Sequence, residues 1–185
     1  MSFFIINILL LFPNKIYSGE IRETAEKIIL ENYSDSVKIF DYKYILSNPL
    51  KLNSEKYARQ RFLGKFIYYY EIKNEDEIIG YALLDNVKGK VKPITYLIIF
   101  NTDLSIKKVE IIKYREEHGG EVENEFWLSQ FKSKTIDSNL QLDNDIDGIS
   151  GATISVKSII NGVKRLLYLI NHLGENEKSL LVSIE

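Results

Sequence analysis

The longest regular pattern in the chain lies near its C-terminal end. Val156, Ile159, Ile160, Val163, Leu166, Leu167 and Ile170 recur at the 3.6-residue period, which predicts an amphipathic helix over Thr153 to Leu169, stopped by Asn171 to Gly174. A shorter helix is predicted from Ile21 to Asn32, where Ile21, Ala25, Ile28, Ile29 and Asn32 share one stripe and the charged residues fall elsewhere. Between the two helices the apolar and aromatic positions cluster in short runs. Phe66 to Lys73 and Ile78 to Leu84 flank a turn at Asn74-Glu75-Asp76-Glu77, and Val91 to Asn101 and Lys107 to Tyr114 flank a polar turn at Asn101 to Ser105. Four strands with short connections predict an antiparallel meander. Val37 to Tyr44 is β-like, and Asn48-Pro49 reads as a turn. Beyond Tyr114 come a charged loop with Gly119-Gly120, a short helical aromatic segment Phe126 to Phe131, and an acidic loop from Leu140 to Gly151. Strands followed by packed helices give an α+β fold class: an antiparallel sheet meander with packed helices.

The division along the chain is fourfold. Residues 1–19 read as a signal peptide or N-terminal anchor, 20–75 as an extension that is helical and then irregular, 76–173 as the main domain, and 174–185 as a tail. Phe3 to Phe12 is apolar apart from Asn7 and ends at Pro13, with the small pair Ser18-Gly19 following. Ten such residues are too few to span a bilayer but suit the apolar stretch of an export signal, although no Lys or Arg precedes them.

Composition narrows the chemistry. The chain has 185 residues, 45% apolar and 27% charged, so it can bury a core of its own. Lys+Arg 24 against Asp+Glu 26 leaves a net charge of −2, which gives no basic footprint for nucleic acid. With no cysteine and only His118 and His172, thiolate zinc, iron–sulfur and multi-histidine centres are excluded. Any redox role then falls to an organic cofactor.

One segment invites chemistry. Asp147-Gly148-Ile149-Ser150-Gly151-Ala152-Thr153-Ile154-Ser155 opens the long helix. Small residues let a ligand approach the backbone, and free amides at a helix start attract a phosphate that a threonine hydroxyl could bond or be esterified by. Simple capping by Ser150 or Thr153 is the competing explanation. Asp143 to Gly148 imitates the start of a calcium loop, but its twelfth position is Ile154 where a glutamate is needed, so a solvated acidic loop competes there. His118 could donate a proton near a cofactor or simply be exposed beside Gly119-Gly120. Trp127 could stack on a ring, while Phe126 and Phe131 read as core. Arg115 could pair with a carbonyl or phosphate, or balance Glu116 and Glu117. Lys157, Lys164 and Arg165 read as a solvated helix face.

The pattern Asp147, Ser150, Gly151, Ala152, Thr153 with a hydroxyl residue nearby at Ser155 resembles the flavinylation motif of FMN-binding domains, such as those in the sodium-pumping NADH:quinone reductase and in Rnf complexes. The resemblance extends over roughly Ile78 to Leu173, through Gly80-Tyr81-Ala82, Lys92-Pro93-Ile94 and Trp127-Leu128-Ser129-Gln130-Phe131. The family's ring-contacting loop is Glu-Thr-Pro-Gly-Leu-Gly. Glu116-Glu117-His118-Gly119-Gly120-Glu121 stands in its place, without the proline and with His118 added.

The resemblance implies an FMN joined covalently to Thr153 through a phosphoester. The attachment would be made by a separate magnesium-dependent flavin transferase with FAD as donor, and Asp147 could help recruit that enzyme or its ion. It implies cofactor contacts from Ser150, Gly151, Ala152, Asp147, Ser155, His118, Gly119 and Gly120, and no metal held by the chain itself. It also implies an extracytoplasmic domain passing electrons between a membrane-bound donor and acceptor. No nucleophile–base pair supports independent catalysis. The alternative is an exported, non-redox binding module whose Thr153 stays unmodified.

Overall fold

A computed structural model describes residues 14–33, 36–173 and 181–183. The apolar run Phe3 to Phe12 and most of the C-terminal tail lie outside the described residues. The elements follow the order α1 (Asn14–Glu31), β1 (Lys38–Ile45), α2 (Asn48–Ala58), β2 (Phe66–Asn74), β3 (Glu77–Lys88), β4 (Pro93–Phe100), β5 (Ile106–Lys113), α3 (Glu125–Leu128, between two 3₁₀ turns), α4 (Thr153–Asn171) and β6 (Leu181–Ser183). One six-stranded sheet has the order β5-β4-β3-β2-β1-β6, with each neighbouring pair antiparallel. The α+β class and the meander β2–β5 are therefore as the sequence predicts.

Two-residue alternation assigns the sheet's faces. On β4, Ile94, Tyr96, Ile98 and Phe100 enter the core under α4, while Leu97 and Ile99 enter a second core with Ala25 and Ile29 of α1. A sheet apolar on both sides needs cover on both, and α1 supplies the second. α1 starts earlier than the predicted helix, so Ser18 and Gly19 lie within it.

Two differences from the sequence reading affect the site. The β-like stretch Val37 to Tyr44 is β1, but the remainder of the segment read as irregular holds α2, and Asn48-Pro49 begins that helix rather than making a turn. Proline suits that position because the first helical N–H has no intrahelical partner, and the structure places it in the first turn of α2. α2 then packs against α4. That packing explains the second difference: Arg165 is not on a solvated face but fully buried, at 0% exposure. Parity puts Asp85 on the same side of β3 as Leu83 and Val87, facing α4. Its Oδ2 lies 2.7 Å from Arg165 Nη2. Arg165 also donates to the Arg61 carbonyl just beyond α2 and, at 3.2 Å, to the Asn86 carbonyl, and its guanidinium stands 4.1 Å from the Phe62 ring centre. Burial pushes the Asp85 carboxyl up, against the pull of Arg165. Lys157 is exposed as read, and Lys164 is half-buried.

α4 lies close on the sheet at Gly162. A Cβ there would stand 2.5 Å from Val87 Cγ1 and 2.8 Å from the Tyr96 hydroxyl. Nearer its N-terminus, Ser158 Oγ donates to the Lys88 carbonyl at 2.7 Å, which seats the start of α4 over the β3–β4 turn.

Candidate functional site

The chain reaches α4 through a run of small residues. Gly151 takes φ +81°, a left-handed backbone that glycine adopts freely, and a Cβ there would meet nothing within 4 Å. Ala152 is the residue at the N-cap, no side chain caps the helix, and Thr153 is its first helical residue. Capping by Ser150 or Thr153 is thereby corrected: neither hydroxyl supplies the cap bond. The opening amides of α4 have no intrahelical acceptors, so the positive end of the helix dipole meets the surface unscreened by a cap. Thr153 and Ile154 are exposed, whereas Ala152 and Ser155 are buried.

The acidic loop before this run is held by its own bonds. The Asp143 N–H donates to the Ile146 carbonyl at 2.8 Å, and Asp145 Oδ2 accepts from the Gln141 N–H at 3.0 Å and from Asn144 Nδ2 at 3.3 Å. The bond from the Gln141 N–H holds the Asp145 carboxyl below the usual carboxylate range. Among the described residues no group of three or more acidic or histidine side chains is gathered as for a metal ion. The aromatic segment fixes where this loop ends. Trp127 Nε1 donates to the Asp147 carbonyl at 2.8 Å and the Asp147 N–H donates to Gln130 Oε1 at 2.9 Å. Both backbone groups of Asp147 are thus held, which accounts physically for the pairing of the two motifs in one chain. Trp127 and Phe131 are buried and meet edge to face. Phe126, read as core, is 82% exposed, because Trp127 and Phe131 take the inward positions of this short helical turn.

A second wall comes from the loop after β5. Gly119, at φ +84°, sits against the first turn of α4: a Cβ there would lie 2.8 Å from the Tyr114 hydroxyl and 3.3 Å from Ala152 Cβ. Gly120 is under no such constraint, its nearest neighbour being Glu123 Oε2 at 3.5 Å. Glu116 Oε1 accepts from the Val91 N–H at 2.7 Å and from the Lys92 N–H at 3.0 Å, tying this loop to the β3–β4 turn. Those two backbone bonds hold the Glu116 carboxyl below the usual range. Arg115 takes the carbonyl option, donating to Pro93 O at 3.0 Å and to Thr95 Oγ1 at 2.9 Å.

The three pieces enclose an open cleft of about 1020 Å³, lined by residues 90–92, 116–121 and 150–155. The structure brings His118, Gly119, Gly120, Ser150, Gly151, Ala152, Thr153 and Ser155 together there, and leaves Asp147 outside, exposed and held by its backbone. Sequence reasoning missed Lys90, Val91, Lys92 and Ile154. Val91 is 75% exposed and Ile154 50%, an apolar pair on walls otherwise marked by Lys90, Lys92, Glu116, Glu117 and Glu121. An exposed valine between two lysines in a turn is the one signal that could have pointed to that wall.

A cleft of this size is at the upper end of the range for small-molecule sites, about 300–1,000 Å³. It combines apolar wall residues, an uncapped helix start and an exposed Thr153, which fits a ligand with an apolar part and a phosphate.

The model of the FMN-binding domain family matches residues 89–168, a span that contains every cleft-lining residue. Among solved structures, the crystal structure of Shewanella oneidensis NqrC is similar in fold. The match has a TM-score of 0.58 at 14% identity, and covers 88% of this chain and 98% of that one. A search of curated proteins finds no match. The resemblance drawn from the residues around Thr153 therefore stands.

Proposed function

Proceeding from an FMN-binding domain at residues 89–168, we propose that this chain carries FMN esterified to Thr153 and passes electrons between redox partners. The observation that supports the reading best is the exposed Thr153 at the uncapped start of α4, on the rim of the cleft. Bound FMN supplies reversible one- and two-electron chemistry. Thr153 Oγ1 would be the acceptor: in exchange for AMP, its O–H would give way to one O–P bond to the FMN half of FAD as the pyrophosphate O–P bond breaks, the proton leaving with AMP. That exchange needs a flavin transferase, the partner we assign to this chain. The opening amides of α4 would hold the phosphate, Gly151 would leave it space, and Val91 and Ile154 would offer apolar surface to the ring system. Ser150 and His118 border the same space as hydrogen-bonding groups.

We place the domain outside the cytoplasm, supported by the apolar run Phe3 to Phe12. Among the described residues no helix is long and apolar enough to cross a membrane. Both parts are tested by fractionating cells that co-express a flavin transferase. The expected result is a yellow protein outside the cytoplasm whose colour survives denaturation and gel filtration. A colourless protein would contradict the flavin, and a yellow protein confined to the cytosol would contradict the location alone.

A further inference from the structure

Tyr114, directly after β5, stands behind the cleft and not on its lining. Its hydroxyl lies 2.5 Å from the His118 carbonyl oxygen and 2.9 Å from Ser155 Oγ. A carbonyl can only accept, so the one phenolic proton goes to His118, and the Ser155 hydroxyl must donate to the Tyr114 oxygen. Two bonds on one oxygen thus join the glycine loop to the first turn of α4, although Tyr114 and Ser155 are 41 residues apart in sequence. The fit around them is close. A Cβ on Gly119 would meet the Tyr114 hydroxyl at 2.8 Å, Ala152 Cβ at 3.3 Å and Ser155 Oγ at 3.4 Å, so glycine is what lets the loop sit this near. Ala152 and Ser155 flank Thr153 in that same turn. The bond also commits the Ser155 hydroxyl, which is buried, while Thr153 remains exposed.

We propose that Tyr114 is a positioning residue that latches the loop of residues 116–121 onto the turn bearing Thr153, and so sets the cleft's second wall before any cofactor arrives. The latch deepens the flavin reading, and its effect on the cofactor rests on that reading. Its effect on the loop does not.

Tyr114→Phe keeps the ring and deletes the shared oxygen. In protein without flavin, amide hydrogen exchange across residues 118–122 is expected to quicken by about 5- to 150-fold, the span corresponding to two net hydrogen bonds. Ser155→Ala removes one of the two bonds and is expected to quicken exchange less. Adding it to Tyr114→Phe is expected to change nothing further, because the bond it breaks is already gone. In flavin-loaded protein, Tyr114→Phe is expected to raise iodide quenching of flavin fluorescence and alter the visible circular dichroism, with the covalent bond intact. Unchanged exchange, additive effects of the two substitutions, or an unaltered flavin signal on a loosened loop would each overturn the latch. Should Tyr114→Phe not fold, exchange in Ser155→Ala decides: wild-type rates there would overturn it too. Wild-type protein without flavin would count against the Thr153 reading only, with the exchange experiment still deciding the latch.

Discussion

The first turn of α4 and the stretch about three turns further on, around Gly162 and Arg165, handle polarity in opposite ways. At Arg165 the protein supplies the countercharge and the acceptors for both terminal nitrogens itself, leaving only Nε without a partner. Asp85, the Arg61 and Asn86 carbonyls and the Phe62 ring surround a guanidinium with no solvent contact. At Thr153 the protein leaves its groups open: no cap on the helix, no atom near the missing Cβ of Gly151, an exposed hydroxyl and an exposed Ile154. Both regions carry polar groups on one helix, yet only the second leaves them available to a ligand. Buried polar groups with partners from both β3 and the loop after α2 fix architecture; unmatched ones at a cleft can bind.

The buried pair offers the largest test of that contrast. Arg165→Met leaves the Asp85 carboxyl buried without its partner, and unfolding stability is expected to fall by about 3–5 kcal/mol. Asp85→Leu combined with Arg165→Met is expected to recover most of the loss, since it removes the uncompensated group as well. Urea denaturation at neutral pH measures both as shifts of midpoint at constant slope. A single-variant loss below about 0.5 kcal/mol, ordinary for a surface substitution, would mean that Arg165 behaves as solvated and would end the comparison.

What could be read from the sequence follows the range of the interactions. The stripe from Val156 to Ile170 is legible because its period is local, and all seven of its residues are buried. The charge at Arg165 is misread because its meaning depends on Asp85, 80 residues away, and on α2, which itself hides behind a proline that suits a helix start as well as a turn. The cleft divides in the same way. The small-residue run before Thr153 is visible as a motif, because closeness to a ligand demands small side chains in sequence. Tyr114, Glu116 and Val91 act through bonds between loops. A tyrosine just after a strand looks like any sheet aromatic until its hydroxyl is seen between His118 and Ser155. Phe126 and Trp127 are adjacent aromatics, and only the turn geometry decides which faces inward.

A smaller effect is expected on the open side. Glu116 is ionised when it accepts from the Val91 and Lys92 amides, and its pKa is held below the ordinary 4.5 by those bonds. The tie is therefore fully present above the ordinary value and is lost as pH falls through the lowered one. Amide shifts of Val91 and Lys92 followed by NMR from pH 6 downward are expected to titrate with a midpoint below 4.5, and Glu116→Gln to flatten them. A midpoint at or above 4.5 would mean that the carboxylate does not hold the turn, and the cleft walls would be less ordered than the contrast with Arg165 implies.

The central claim depends on a single oxygen atom. Peptide mass spectrometry of protein co-expressed with a flavin transferase should find the fragment containing Thr153 heavier by FMN minus water. Thr153→Val keeps the side chain's shape without the acceptor, so the added mass should vanish while the urea midpoint stays near that of the wild type. An unmodified Thr153 peptide in the wild type, or covalent flavin persisting in Thr153→Val, would contradict it.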